Sequence, residues 1–244
     1  GRARWLKPYV DHLFVILPFE REFFRKFDWE AHYVGSPVLD AVKAHISDRR
    51  EFNFNQTSGA SCIALLPGSR KQELKRIIPL MIKVVKKFPN YRFAVAAVNN
   101  LDQSWYKDLV DLKNVELVFE DTYNLLLRAT AAMVTSGTAT LETALFRVPE
   151  VVVYKANRIT YRLAKLLIKV EFISLVNLVA GRQIVREMIQ SEANPENVAG
   201  ELETLLNDGA YRENMLKGYD EIITKLDTGS ASENAARLMV DYLK

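Results

Sequence analysis

Short apolar runs alternate with amphipathic stretches along most of the chain, and the two spacings separate strands from helices. Cys62–Leu66, Tyr91–Val98, Val115–Phe119, Ala132–Thr135 and Glu150–Tyr154 are short and rich in branched side chains, which predicts strands buried on both faces. Between the first two, Leu74, Ile77, Met81, Val84 and Phe88 fall on one helical face. Pro79 within that stretch is expected to kink the helix or delay its start. Further helices are predicted around Trp105–Leu112, at Tyr123–Ala129 and at Thr138–Phe146. Strands separated by helices predict a parallel sheet covered on both sides, an α/β doubly wound lobe. From Thr160 onward the pattern predicts mainly helices, ending with "SENAARLMVDYLK".

Upstream the pattern is sparser. "DHLFVILPFE" predicts a strand ending at Pro18, "EREFFRKF" one helix, and "HYVGSP" a strand closing at Gly35. Two short strands and a helix cannot bury a sheet alone, so this piece is expected to need partners, and sequence upstream of Gly1 to be missing. The stretch from Asp40 to Ser61 ends in "NFNQTSGAS", which is polar, turn-rich and linker-like.

Composition narrows the class. The 244 residues are 49% hydrophobic and 26% charged, as expected of a water-soluble chain with a substantial core. No apolar run reaches the roughly 18 residues of a membrane span. The 33 Lys and Arg nearly balance 30 Asp and Glu, so the net charge of +3 gives no reason to expect nucleic acid as a partner. Cys62 has no second cysteine to pair with and opens an apolar run, which predicts a buried reduced thiol. His12, His32 and His45 lack ligand spacing, and no metal or cofactor is expected.

Two turns fall at predicted strand exits, where open α/β sheets bind ligands. The first is "LLPGSRKQELKR", residues 65–76, in which Gly68, Ser69 and Arg70 form either a plain turn, with Arg70 paired to Glu73 on the surface, or an anion seat of free amides and a guanidinium. The second is "TSGTATLE", residues 135–142. Ser136, Gly137 and Thr138 either cap a helix or let a diphosphate approach its N-terminus. Glu142, one turn on, is either solvated or an acceptor for vicinal ribose hydroxyls. A third stretch, "ISLVNLVAGRQIVREMIQSE" at residues 173–192, places Asn177 inside an apolar run, a costly position unless its amide is bonded.

With these stretches in order, and with "ILPFEREFF", "YVGSPVLD" and "LAKLLIKVEFISLVNLVAGR" around them, the sequence resembles the bacterial lipid-A-disaccharide synthases, glycosyltransferases of the two-lobed GT-B architecture. It departs from them at Ser36, where that family usually has His, and it begins near the end of the family's N-terminal acceptor lobe. The resemblance implies a GT-B-like fold with residues 1–35 as the end of the N-terminal lobe. It makes 36–226 the nucleotide-sugar lobe and 227–244 a helix returning to the N-terminal lobe. It also implies inverting, metal-independent transfer of 2,3-diacylglucosamine from UDP-2,3-diacylglucosamine to 2,3-diacylglucosamine 1-phosphate. Gly68, Ser69, Arg70, Ser136, Gly137 and Thr138 would then hold the diphosphate and Glu142 the ribose, with Gln190 in the same pocket. Asn177 and Arg182 would position the donor. The family's general base lies upstream, so none is assigned here.

Two other readings stay open: a UDP-binding lobe without turnover, and another GT-B-like UDP-N-acetylglucosamine enzyme, against which "SLVNLVAGR" argues. Finally, Arg158, Arg162, Lys165 and Lys169 lie beside Leu163, Leu166, Leu167 and Val170. This is either a core helix with a solvated basic face or a surface for anionic lipid. With the resemblance it implies a cytoplasmic protein, peripheral at the inner membrane of a Gram-negative bacterium.

Overall fold

The computed structural model describes residues 2–50, 62–157 and 171–243. They group into two compact units, residues 1–53 with 220–244, and residues 54–219. The basic stretch 158–170 and the linker-like stretch 51–61 lie outside the described residues.

In the first unit a short helix α1 (Arg2–Leu6) precedes a parallel pair of two-residue strands, β1 (Phe14–Val15) and β2 (His32–Tyr33), with Phe14 opposite His32. Helix α2 (Pro18–Arg25) joins them. Pro18 does not end a strand here but opens this helix, where its missing N–H would have had no partner anyway. The Glu20 carboxylate accepts from the Leu17 amide at 3.0 Å and closes the first turn. A helix that the sequence pattern did not predict, α3 (Pro37–Arg50), follows. Its buried stripe of Leu39 and Val42 is thin, too weak a period to be read against its many polar residues.

The second unit is built on six strands, each parallel to its neighbours. They are β3 (Cys62–Leu66), β4 (Arg92–Ala97), β5 (Val115–Phe119), β6 (Ala129–Thr135), β7 (Glu150–Tyr154) and β8 (Arg186–Ile189). The first five match the predicted strands to within three residues at each end. The sixth falls in the region read as helical, because "REMI" is four residues long and half charged. Helices α4 (Lys71–Val85), α5 (Lys107–Val110), α6 (Thr122–Arg128) and α7 (Thr138–Leu145) connect the strands in turn. α4 runs through Pro79 and buries Leu74, Ile77, Met81 and Val84 as its spacing predicts. After β7 come α8 (Leu175–Ala180), then β8 and α9 (Pro195–Asn207). Ile63, Ala64, Leu65, Ala132, Met133, Val134 and Val151–Val153 are completely buried, as a sheet covered on both faces requires.

The strand order is β5-β4-β3-β6-β7-β8. The chain builds outward from β3 in one direction, then crosses back to β6 and builds in the other. β3 and β6 are therefore neighbours whose connections leave in opposite directions, which opens a crevice beyond their carboxyl ends.

Helix α10 (Gly209–Leu226) leads to α11 (Ala231–Asp241), which belongs to the first unit. The Ala231 amide donates to Asp40 at 2.8 Å, and Asn234 donates to the Val34 carbonyl at 3.1 Å. Tyr242 stacks on His12 with ring centroids 3.4 Å apart. The path from β2 into α3 passes so close to this helix that a Cβ on Gly35 would sit 2.5 Å from the Thr228 hydroxyl. The φ of +110° there also favours glycine. These bonds, with the Lys43–Asp227 ion pair at 2.7 Å, group α3 with the first unit. The units thus divide within 50–61 and near 220, where the sequence suggested 35 and 226.

Candidate binding site

Both turns singled out in the sequence emerge at this crevice. The loop after β3 and the loop after β6 face one cavity of about 320 Å³. Gly68, Ser69, Arg70, Ser136, Gly137, Thr138 and Glu142 all line it, on an apolar floor of Leu66, Ala96 and Val98. Glu73, the surface partner the sequence offers for Arg70, also lines it, as do Thr122, Thr135 and Ala139.

The two loops differ in how far their amides are already spent. In the first, Gly68 takes a φ of +99°, and a Cβ there would run into the Glu73 carboxylate. Glu73 accepts from the Ser69 amide at 3.1 Å, the Arg70 amide at 3.2 Å and the Arg70 guanidinium at 3.4 Å. The seat exists, but the protein's own carboxylate sits in it as a cap on α4. Arg70 remains 82% exposed, so its guanidinium is free to turn. The second loop has no such cap. Gly137 stands at the N-cap of α7, and among the described residues no side chain caps this end; of its first-turn amides, that of Thr140 donates to the Gly137 carbonyl at 3.2 Å. A Cβ on Gly137 would meet nothing nearer than the Thr135 carbonyl at 3.9 Å, so the open approach to the helix end is not filled by packing. Of the two, the α7 terminus is the one whose first turn no side chain caps among the described residues.

Glu142 is half-buried one turn into α7. Burial pushes its carboxyl above the ordinary carboxylate range, opposed by a hydrogen bond of 3.3 Å from the Tyr123 hydroxyl. The Tyr123 phenol is itself pushed up to about 12 by burial first and then by Glu142, so it stays a donor at working pH. Its ring packs on Phe146 at 4.9 Å.

Asn177, Arg182 and Gln190 do not line this cavity. Asn177 is completely buried on α8 and its amide is fully used. It donates to the Val185 carbonyl and to Glu187, each at 2.9 Å, and accepts from the Ile184 and Val185 amides at 2.7 and 3.0 Å. No lone pair or proton is left for a substrate, so any effect on donor position runs through the loop it closes. That loop carries Arg182, exposed just after Gly181. Gln190, with its amide turned to satisfy both atoms, pairs with the N–H and C=O of Ala156 at 3.3 Å.

Glu187 is the hub that sequence reasoning missed. Its carboxylate accepts from the Ile173 and Ser174 amides at 2.9 Å, the Ser174 hydroxyl at 2.7 Å and Asn177. The Ile173 carbonyl in turn accepts from the Ser136 hydroxyl at 2.9 Å. A continuous chain of hydrogen bonds therefore runs from the loop after β6 to the loop bearing Arg182.

The lobe, with two loops meeting at a β3/β6 crevice, is an α/β fold of the GT-B type. The S. aureus MnaA–UDP co-structure superposes with a TM-score of 0.67 at 15% identity, over 96% of this chain and 60% of that one. A putative UDP-N-acetylglucosamine 2-epimerase from Listeria monocytogenes does so at 0.62 and 14%, over 86% and 54%. At such identities the likeness is one of fold.

A family model for lipid-A-disaccharide synthetase matches residues 1–239, and the chain belongs to that family. It is 37% identical to lipid-A-disaccharide synthase of Syntrophus aciditrophicus (strain SB), over 100% of this chain and 66% of that one. It is 36% identical to that of Myxococcus xanthus (strain DK1622), over 100% and 65%. The chain thus spans just under two thirds of the length of these relatives.

Proposed function

We propose that this chain supplies the nucleotide-sugar side of a lipid-A-disaccharide synthase. The reaction passes 2,3-diacylglucosamine from UDP to 2,3-diacylglucosamine 1-phosphate with inversion and releases UDP. The family match over residues 1–239 carries the choice of reaction. The convergence of seven sequence-chosen residues on one cavity supports the nucleotide's place in it.

The chemistry follows from charge. An acceptor hydroxyl attacks the anomeric carbon, its proton leaves to a base outside the residues assigned here, and the bond to the diphosphate oxygen breaks. The electron pair moves onto the leaving UDP. Donors fixed at that oxygen lower the barrier because they strengthen as charge develops. The uncapped amides of α7 are fixed donors, and the Arg70 guanidinium is a mobile one. Glu142, held by Tyr123, accepts from the ribose diol.

Calorimetry with UDP, followed by a turnover assay with both acylated sugars, tests this. Arg70→Ala should weaken UDP by roughly three- to tenfold, the part of one charge-assisted hydrogen bond that remains after the guanidinium gives up Glu73. Failure of UDP to bind the unaltered chain would sink the reading. Binding without product would leave a nucleotide-binding module. Contact with an anionic membrane surface belongs to the same proposal and rests on the cations of 158–170.

A further inference from the structure

Thr135 ends β6 and lines the cavity between its apolar floor and the Gly137–Thr138 turn. The residue is 6% exposed, and its hydroxyl has no hydrogen-bond partner. Among the described residues only Glu150 and Tyr219 also carry such orphaned side-chain atoms, and neither lines the cavity. A buried hydroxyl without a partner is a standing cost to the fold, since it has left water and received nothing in return. Its neighbours offer no remedy. Leu66, Ala96 and Val98 are apolar, and the adjacent Ser136 hydroxyl is committed to the Ile173 carbonyl.

The position of this orphan says what would satisfy it. Thr135 immediately precedes the turn whose amides begin α7. A group that bonds those amides brings its acceptor oxygens to the same corner. We infer that the Thr135 hydroxyl donates to a diphosphate oxygen of the bound uridine nucleotide, an inference that rests on the proposed function and adds a ligand contact to it. Free of ligand, the hydroxyl is an unsatisfied buried group; with ligand, it is a donor already desolvated. The fold keeps a strained polar group in reserve for binding, a pattern in which local cost marks function.

Stability and affinity should therefore move in opposite directions in one isosteric variant. Thr135→Val removes the orphaned hydroxyl at nearly constant volume. Its melting temperature without ligand should rise by roughly 2–4 °C. Its affinity for UDP, measured by calorimetry on the full chain, should fall about tenfold. Thr135→Ser restores a hydroxyl at the same place and should recover most of that affinity. Equal UDP affinity in Thr135→Val and the unaltered chain overturns the inference and leaves the proposed function standing. Equal loss in Thr135→Ser and Thr135→Val also overturns it, because shape and not the hydroxyl would be responsible. If the unaltered chain binds no UDP, the proposed function falls first and this inference with it.

Discussion

Glu150 shows how a single buried group sets a pH dependence. It opens β7 completely buried, with neither carboxyl oxygen bonded, and burial alone pushes its carboxyl well above the usual range. The buried Tyr219 phenol faces it, and Arg212 and Tyr211 lie around that phenol. The folded chain therefore keeps a proton that the unfolded chain gives up near 4.5. Between those two values the native state binds more protons, so stability is full at the acid end and falls as pH rises. Glu150→Gln removes the titration. Its unfolding free energy in urea should gain on that of the unaltered chain as pH is raised above the unfolded carboxyl's range; an unchanging difference would refute the assignment. The residue scale is also where reading from sequence was most uneven. Small residues and hydroxyls after a strand are recognisable, and five of them, with Arg70 and Glu142, do meet at one cavity. Which amide a carboxylate will choose is not recognisable: Glu73 was legible as a surface partner for Arg70, but its capture of the turn amides and Thr135's orphaned hydroxyl emerged only in three dimensions.

Among the elements, α8 and β8 are tied by the hydrogen bonds of Asn177 and Glu187. Asn177→Ala would strand the Ile184 and Val185 amides and one edge of Glu187, a loss of about 3 kcal/mol or more in denaturant unfolding. Asn177→Asp should be worse than Asn177→Ala, although it is nearer in shape. Its carboxylate can still accept from both amides, but it places a second negative charge where the amide nitrogen now stands, 2.9 Å from Glu187 Oε1. A milder Asn177→Asp than Asn177→Ala would mean that Glu187 is not the charge partner. The strands were readable because each is a continuous apolar run flanked by turns, down to identical bounds for Cys62–Leu66 and Glu150–Tyr154. β8 was not, since its pairing with β7 comes from backbone bonds and one buried Met188. Asn177 was legible as an anomaly, a polar residue in an apolar run, while the direction of its bonds was not.

For the whole molecule, the doubly wound order follows from alternating strands and helices, and it alone brings two loops about 70 residues apart in sequence to adjacent strand ends. The division into units was less legible, because α3 joins the first unit through Asp40 and Lys43 to residues nearly 190 positions away. Among the described residues no helix is long and apolar enough to cross a membrane. We propose the basic stretch 158–170 as a surface for anionic lipid. Replacing Arg158, Arg162, Lys165 and Lys169 together with glutamine should reduce co-sedimentation with vesicles containing anionic lipid, most clearly at low salt. Unchanged co-sedimentation would remove this stretch from consideration.

The carboxylate parked at Ser69 and Arg70 has one last consequence. An anion arriving at that turn does not fill a vacancy; it bids against a resident. Its net gain is the difference between two charge-assisted pairings, so an isolated phosphate should find little advantage there. The resident is itself part of the first turn of α4 and cannot withdraw without fraying that turn. What can change hands is the guanidinium, on its long exposed stem. On the proposed function, recognition at this corner would be a trade of one arginine between two acceptors, with the backbone beneath it left as it was.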